Sequence, residues 1–118
     1  MRASDAVGRY GEQVAVEHLL AAGMQVLDRN WRCTTGEVDV VARDGGCLVV
    51  VEVKTRRSGV CGTGLEAVTP VKLARLRRLA AAWLAAHEAS PRAVRIDVVS
   101  VLRPPRGSAL VEHLRGVG

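Results

Sequence analysis

The chain has no phenylalanine, and one tyrosine and two tryptophans bring its aromatic content to only 3% of 118 residues. So sparse a set argues against single-strand binding by base stacking, which needs aromatic platforms. It also obliges any core to be built from Val, Leu and Ala. Cysteine is scarce too. Cys33, Cys47 and Cys61 form no Cys-x-x-Cys pair and have no histidine close by in sequence. An odd, sparse set fits a reducing cytoplasm better than a disulfide framework. His18, His87 and His113 are scattered without metal-ligand spacing, so each reads as a surface or partly packed residue. The longest unbroken apolar run, residues 79–86, is far too short to cross a bilayer. The opening Met-Arg-Ala-Ser-Asp lacks the apolar segment of a secretory signal. A cytoplasmic protein with no membrane partner is expected.

What is present is apolar and basic. Hydrophobic residues make up 48% of the chain, enough for a folded core, and the length suits a single domain over residues 1–118. The net charge of +5 and a pI near 9.9 favour nucleic acid or another anionic surface as partner.

The most informative stretch is residues 36–54, Gly-Glu-Val-Asp-Val-Val-Ala-Arg-Asp-Gly-Gly-Cys-Leu-Val-Val-Val-Glu-Val-Lys. Two Val-rich runs, 38–43 and 47–54, flank an Asp-Gly-Gly turn, which predicts a β-hairpin. With Gly45-Gly46 as the loop, Asp44 opposes Cys47, Asp39 opposes Glu52 and Glu37 opposes Lys54. Val38, Val40, Ala42, Val49, Val51 and Val53 then form one apolar face. Glu37, Asp39, Glu52 and Lys54 lie on the other, beyond a Val41–Val50 pair. An Asp44-Gly45 loop would instead pair Asp39 with Val50 and Glu37 with Glu52, keeping the same face polar. Residues directly opposite on a sheet have Cβ atoms about 4.5–5.5 Å apart, so like charges there repel. A divalent cation relieves such a pair, because hard cations take carboxylate oxygens.

Around this hairpin the chain alternates in type. Residues 4–22 predict a helix with Ser4 as N-cap and Gly23 as its stop. Within it Glu12 is surrounded at helical spacing by Gly8, Ala15, Val16 and Leu19, which turns a carboxylate toward the body of the protein. Gly8 and Gly11 would let that helix approach a sheet or ligand closely. Residues 24–32 predict a strand, interrupted by Asp28-Arg29-Asn30 where a bulge or an edge is expected. Thr34-Thr35-Gly36 is a turn. Arg29 and Arg32 lie near the acidic face in sequence and suit either phosphate or the acids themselves. After Lys54 a glycine-rich basic segment, including Arg56 and Arg57, reads as a loop that orders on a phosphate backbone; it has no Walker A spacing. Thr69-Pro70 opens a second helix that ends near His87, before Ser90-Pro91. Its apolar stripe is Leu73, Leu76, Ala80, Trp83 and Leu84. Lys72, Arg75, Arg77 and Arg78 crowd its first half, and Lys72 stands in the first turn, where a cation opposes the helix dipole. Residues 92–102 form a strand in which Asp97 faces away from Ile96 and Val98 and is more readily a partner for a basic residue than a metal ligand. Residues 109–114 predict a short edge strand, followed by a frayed tail. The order α-β-β-β-α-β-β defines an α/β fold with a mixed sheet of about five strands.

Asp39, Glu52 and Lys54, spaced as Asp-x12-Glu-x-Lys, resemble the PD-(D/E)xK nuclease signature, with Val38 where the motif's proline stands. In that superfamily an acidic residue on the preceding helix often completes the site, and Glu12 matches it. Over residues 8–101 the resemblance narrows. Gly11-Glu12, Arg29-Asn30 with Arg32, Gly36-Glu37-Val38-Asp39-Val40-Val41-Ala42, Val51-Glu52-Val53-Lys54 with Arg56, Lys72, and Arg95-Ile96-Asp97-Val98-Val99 follow the order seen in the small bacterial YraN-type uncharacterised proteins. These look like relatives of archaeal Holliday-junction resolvases. The resemblance implies a restriction-endonuclease-like three-layer fold and a Mg²⁺- or Mn²⁺-dependent endonuclease acting on DNA, with branched or structured DNA as its substrate class. It implies Glu12, Asp39, Glu52 and Lys54 as catalytic residues. The cation would be held by Asp39, Glu52, the Val53 carbonyl and Glu12, with Glu12 acting directly or through water. Arg29, Arg32, Arg56, Arg57, Lys72 and Arg75 are the expected nucleic-acid contacts. Symmetric cleavage of a junction would require two sites, hence a homodimer. The other reading is a non-catalytic nucleic-acid-binding or assembly module that keeps the fold.

Overall fold

The protein is described by a computed structural model over residues 3–57 and 68–118, with side chains from residue 6 onward. Its elements run α1 (Ala3–Ala21), β1 (Gln25–Cys33), β2 (Gly36–Asp44), β3 (Cys47–Arg57), α2 (Pro70–His87), β4 (Ala93–Arg103) and β5 (Leu110–Leu114). The five strands form one sheet in sequence order. Neighbours are antiparallel except β3 and β4, which run parallel across the connection that carries α2. This is the expected α/β architecture. Among the described residues no helix is long and apolar enough to cross a membrane.

Each face of the sheet is covered by one helix. On one side Ala15, Val16 and Leu19 of α1 pack on Val40, Ala42, Val49, Val51, Val99 and Val101. On the other, Leu76, Leu79, Ala80 and Trp83 of α2 pack on Val38, Val41, Leu48, Val50 and Ile96. Strands buried on both faces read as continuous Val runs rather than alternating ones, which is why β3 is apolar from Leu48 to Val51.

The local signals hold at most element ends. Gly23 adopts φ +90°, and the amides of Gly23 and Met24 return to the carbonyls of Leu20 and Leu19, closing α1. The Thr69 hydroxyl accepts from the Lys72 amide at 3.1 Å, and Pro70 opens α2. Asp44 pairs with Cys47, so the loop is Gly45-Gly46, and the 40–51, 41–50 and 42–49 pairs follow. In β1 the register slips between Val26 and Asp28, and Asn30 has φ +52°; both irregularities accompany the polar interruption in this edge strand.

Four expectations change. Ser4 lies inside α1 rather than capping it, since the helix already includes Ala3. Leu79 joins the α2 stripe, buried between Leu76 and Trp83. Thr55, Arg56 and Arg57 belong to β3, because parallel pairing with β4 carries the strand through Arg57. The rest of the expected basic loop, with Cys61, lies outside the described residues. Residues 115–118 are docked, not frayed. The Gly116 amide donates to buried Asp97, the Val117 amide to the Ile96 carbonyl, and Arg77 to the Gly118 carbonyl.

Candidate active site at the fork of the hairpin

The pairing of β2 with β3 runs from the turn to Val40–Val51. The pairing of β2 with β1 runs the length of the strand, from Gln25–Arg43 to Cys33–Gly36, so nearer its start β2 keeps β1, through Val38–Trp31 and Glu37–Arg32, without β3. The alternation of β2 breaks there: Val38 packs in the α2 layer with Val41, whereas Val40 packs in the α1 layer. The wholly apolar face expected from strict alternation therefore does not extend to Val38, and the expected Asp39–Glu52, Val38–Val53 and Glu37–Lys54 pairs lie beyond the paired residues. The reason is local: β2 keeps its pairing with β1 through this stretch but is paired with β3 only from Val40 on, and its side chains turn about Asp39 where the two strands part.

The Asp39 carboxylate closes this fork. Its Oδ2 accepts from the Val53 amide at 2.8 Å, meeting a backbone donor with a side-chain oxygen. The Glu52 carboxyl stands close enough to Asp39 to act on it through both its charge and hydrogen bonding. Burial, together with the charges of Glu52 and Glu12, pushes the Asp39 carboxyl up to about 7 although the Val53 amide favours its ionised form.

The helices supply the walls. Gly11 is buried against β3, and a Cβ there would overlap Thr55, whose Cβ lies 2.7 Å from that position. This close approach places Glu12 beside the sheet. Gly8, by contrast, faces open space. Val7, Gly8, Glu12, Asp39, Glu52, Val53, Thr55 and Arg57 line an open cavity of about 610 Å³. From the other layer, Lys72 Nζ lies 3.5 Å from Glu52 Oε2, with the two side chains only 19% and 14% exposed. Lys54 also meets Lys72. Its amine is held below the ordinary lysine value by burial and by Lys72, against the opposing pull of Glu52 and Asp39.

The structure brings the four residues expected to be catalytic into one neighbourhood. Asp39, Glu52 and Glu12 line one cavity, Glu52 and Glu12 both act on the Asp39 carboxyl, and Lys54 interacts electrostatically with Asp39 and Glu52. Among the described residues no three His, Cys, Asp or Glu side chains converge as a metal-binding group. The donor set still suits a hard dication: two adjoining carboxylates, one with a raised pKa, and Val53 on the cavity wall.

The expected phosphate contacts divide. Lys72 is drawn into the acid cluster, and Arg57 lines its cavity. Arg32 pairs with Glu37 at 3.1 Å, which takes Glu37 away from Lys54. Arg29 donates to Gln13 at 3.2 Å. Arg75 is exposed on α2 and Arg56 half-buried on β3. Thr55 and Asn30 were not among the expected site residues. Thr55 follows from side-chain alternation with Val53 once the strand is known to continue. Asn30 lines an adjoining hollow with Glu12 and Asp39, and only its position in the polar interruption marked it.

Asp97 forms a separate polar centre. It is fully buried and accepts from Arg95, from His113 at 2.7 Å and from the Gly116 amide, the basic partnership expected of it. His113 in turn meets His18 of α1 at 3.0 Å.

An α/β chain with an acidic fork in a mixed five-stranded sheet is the class that fold and site define. The particular family follows from sequence similarity. The profile of the uncharacterised protein family UPF0102 matches residues 11–101. A UPF0102 protein of Kineococcus radiotolerans is 68% identical over 118 residues, covering 99% of this chain and 97% of the relative. One from Beutenbergia cavernae is 65% identical over the whole of both chains, and UPF0102 protein FRAAL5785 of Frankia alni is 60% identical, covering 98% of this chain and 97% of its own. The chain belongs to the UPF0102 family, as its YraN-type resemblance implies.

Proposed function

We propose that this protein is a PD-(D/E)xK-type, divalent-cation-dependent endonuclease that hydrolyses phosphodiester bonds in DNA, with branched or structured DNA as its substrate. The observation that carries this reading is that Asp39, Glu52 and Glu12 line one cavity at the strand fork, with Lys54 on the same strand as Glu52 and interacting with both Asp39 and Glu52. Asp39, Glu52 and the main chain at Val53 would hold Mg²⁺ or Mn²⁺, which supplies Lewis-acid activation of phosphate and water when bound. Glu12, which lines the same cavity, would add its carboxylate directly or through water. Lys54, with its lowered pKa, orients the attacking water, and an ammonium there offsets charge developing on the phosphate. The basic residues around the cavity hold the flanking backbone.

A second reading, a non-catalytic nucleic-acid-binding or assembly module, is favoured by one feature. Lys72 already neutralises part of the acid pair at 3.5 Å. Incubation of the purified protein with duplex, flap and four-way-junction DNA, in Mg²⁺, Mn²⁺ or EDTA, separates the two. Cation-dependent cleavage lost in Asp39→Ala and Glu52→Ala supports the nuclease. Binding without cleavage, unchanged in both variants, overturns it. Symmetric junction cleavage further requires a homodimer, which light scattering measures directly.

A further inference from the structure

β3 and β4 stay in parallel register to their ends, where Arg57 stands opposite Arg103. Val99 and Val101 pack in the α1 layer, and Val53 packs against it. Alternation along each strand then carries Arg57 and Arg103 to that same side. Like charges directly opposite on neighbouring strands are destabilising, so this pair asks for an anion as the carboxylate pair asks for a cation. Arg103 is held in place: its guanidinium carbon lies 5.1 Å from the ring centroid of Tyr10 on α1, and Tyr10 packs against the first core layer. A guanidinium laid over a ring keeps its N–H edge available for an acceptor. Arg57, Arg103, Pro104 and Pro105 line a hollow of about 430 Å³ that, among the described residues, no carboxylate lines. Arg57 also lines the acidic cavity, so the two hollows adjoin through one side chain.

We propose that Arg57 and Arg103 form a second phosphate site, which binds a backbone phosphodiester next to the one in the acidic cavity, with Tyr10 as the residue that positions Arg103. The substrate strand then leaves the acidic cavity past the Arg57 end of β3 and over the end of β4. The inference rests on nucleic acid being the ligand of the acidic site, and it does not require that site to cut.

The test is fluorescence anisotropy of labelled duplex and four-way-junction DNA in EDTA, where no cation-dependent cleavage intervenes, across a salt series. Arg57→Ala and Arg103→Ala should each weaken binding roughly five- to tenfold, as loss of one charge-assisted contact does. Each should also reduce the slope of log affinity against log salt by about one charge. Tyr10→Phe should bind like the parent protein, whereas Tyr10→Leu should match Arg103→Ala. Both arginines are exposed, so the variants should fold, which circular dichroism verifies. Unchanged affinity and slope in the double arginine variant would overturn the site, as would absence of DNA binding by the parent protein. If the parent protein binds through these arginines but never cleaves, the nuclease reading fails and this one stands. If it cleaves with KM and salt slope untouched in the double variant, the reverse holds.

Discussion

The Val53 amide donates a 2.8 Å hydrogen bond to Oδ2 of Asp39. One carboxylate therefore does two things. It takes up a backbone donor at the point where β2 and β3 part, and it presents its charge beside Glu52. Site and fold share an atom here, so substitutions at the fork should separate the two roles.

The first prediction concerns Asp39→Asn. The amide keeps an acceptor oxygen for Val53 and removes the charge. The Asp39 carboxyl is pushed up to about 7 from 3.8, first by burial. An acid whose folded pKa is raised destabilises the folded state as it ionises, so cation-free stability should fall as pH rises from about 4 to about 7, then level off. Asp39→Asn should remove that decline and be about 1–2 kcal/mol more stable than the parent at pH 8 in EDTA, while losing stabilisation by Mg²⁺ or Mn²⁺. Urea denaturation at pH 5 and pH 8 measures both. A variant less stable than the parent at pH 8 would contradict the account.

The second concerns the approach of α1. Gly11→Ala gains helix propensity of about 1 kcal/mol, but its methyl group meets Thr55 on β3. Overpacking of this kind costs about 1–3 kcal/mol and displaces the backbone, so the variant should be net destabilised and Glu12 moved from the cavity. Gly8→Ala meets nothing within 4 Å and should instead stabilise by about 0.5–1 kcal/mol. Thermal melts of the two variants should shift in opposite directions.

Some of this was legible in the residues and some was not, and the division is physical. Asp44-Gly45-Gly46 and Thr69-Pro70 act over three or four residues, so turn, register and helix start could be read directly. Gly11 and Glu12 could be read because the helical period fixes which neighbours they share. The rotation at Asp39 could not, because alternation assumes a strand that keeps its partners. The place of Lys72 depends on where α2 docks, which no local pattern specifies. The docking of residues 115–118 depends on Asp97, buried on a strand whose neighbours are set by topology.

The third prediction concerns Asp97. Burial alone would raise its carboxyl, but Arg95, the Gly116 amide and His113 more than offset this and hold it below the ordinary 3.8. A depressed folded pKa stabilises above the unfolded value and is lost as pH falls through the folded one. The contribution should thus be complete above about pH 4 and disappear below it. Asp97→Asn should flatten that acid limb. Asp97→Ala strands the buried end of Arg95 and should cost about 3–5 kcal/mol at pH 7. An acid denaturation profile unchanged in Asp97→Asn would refute the assignment.

The fourth prediction concerns Lys72, where two effects should run in opposite directions. Its ammonium lies 3.5 Å from Glu52 and beside Lys54. In the resting protein it therefore competes with any cation for Glu52. Lys72→Ala should bind Mg²⁺ or Mn²⁺ several-fold more tightly by calorimetry, since an opposing like charge in a half-buried site is worth about 1 kcal/mol or more. The same substitution removes a cation from the path of the phosphate, so DNA affinity should fall and its salt dependence weaken by about one charge. Arg75→Ala, exposed one turn along α2, should weaken DNA binding without changing cation affinity. Cation affinity that falls together with DNA affinity in Lys72→Ala would mean that Lys72 supports the acid pair rather than competing for it.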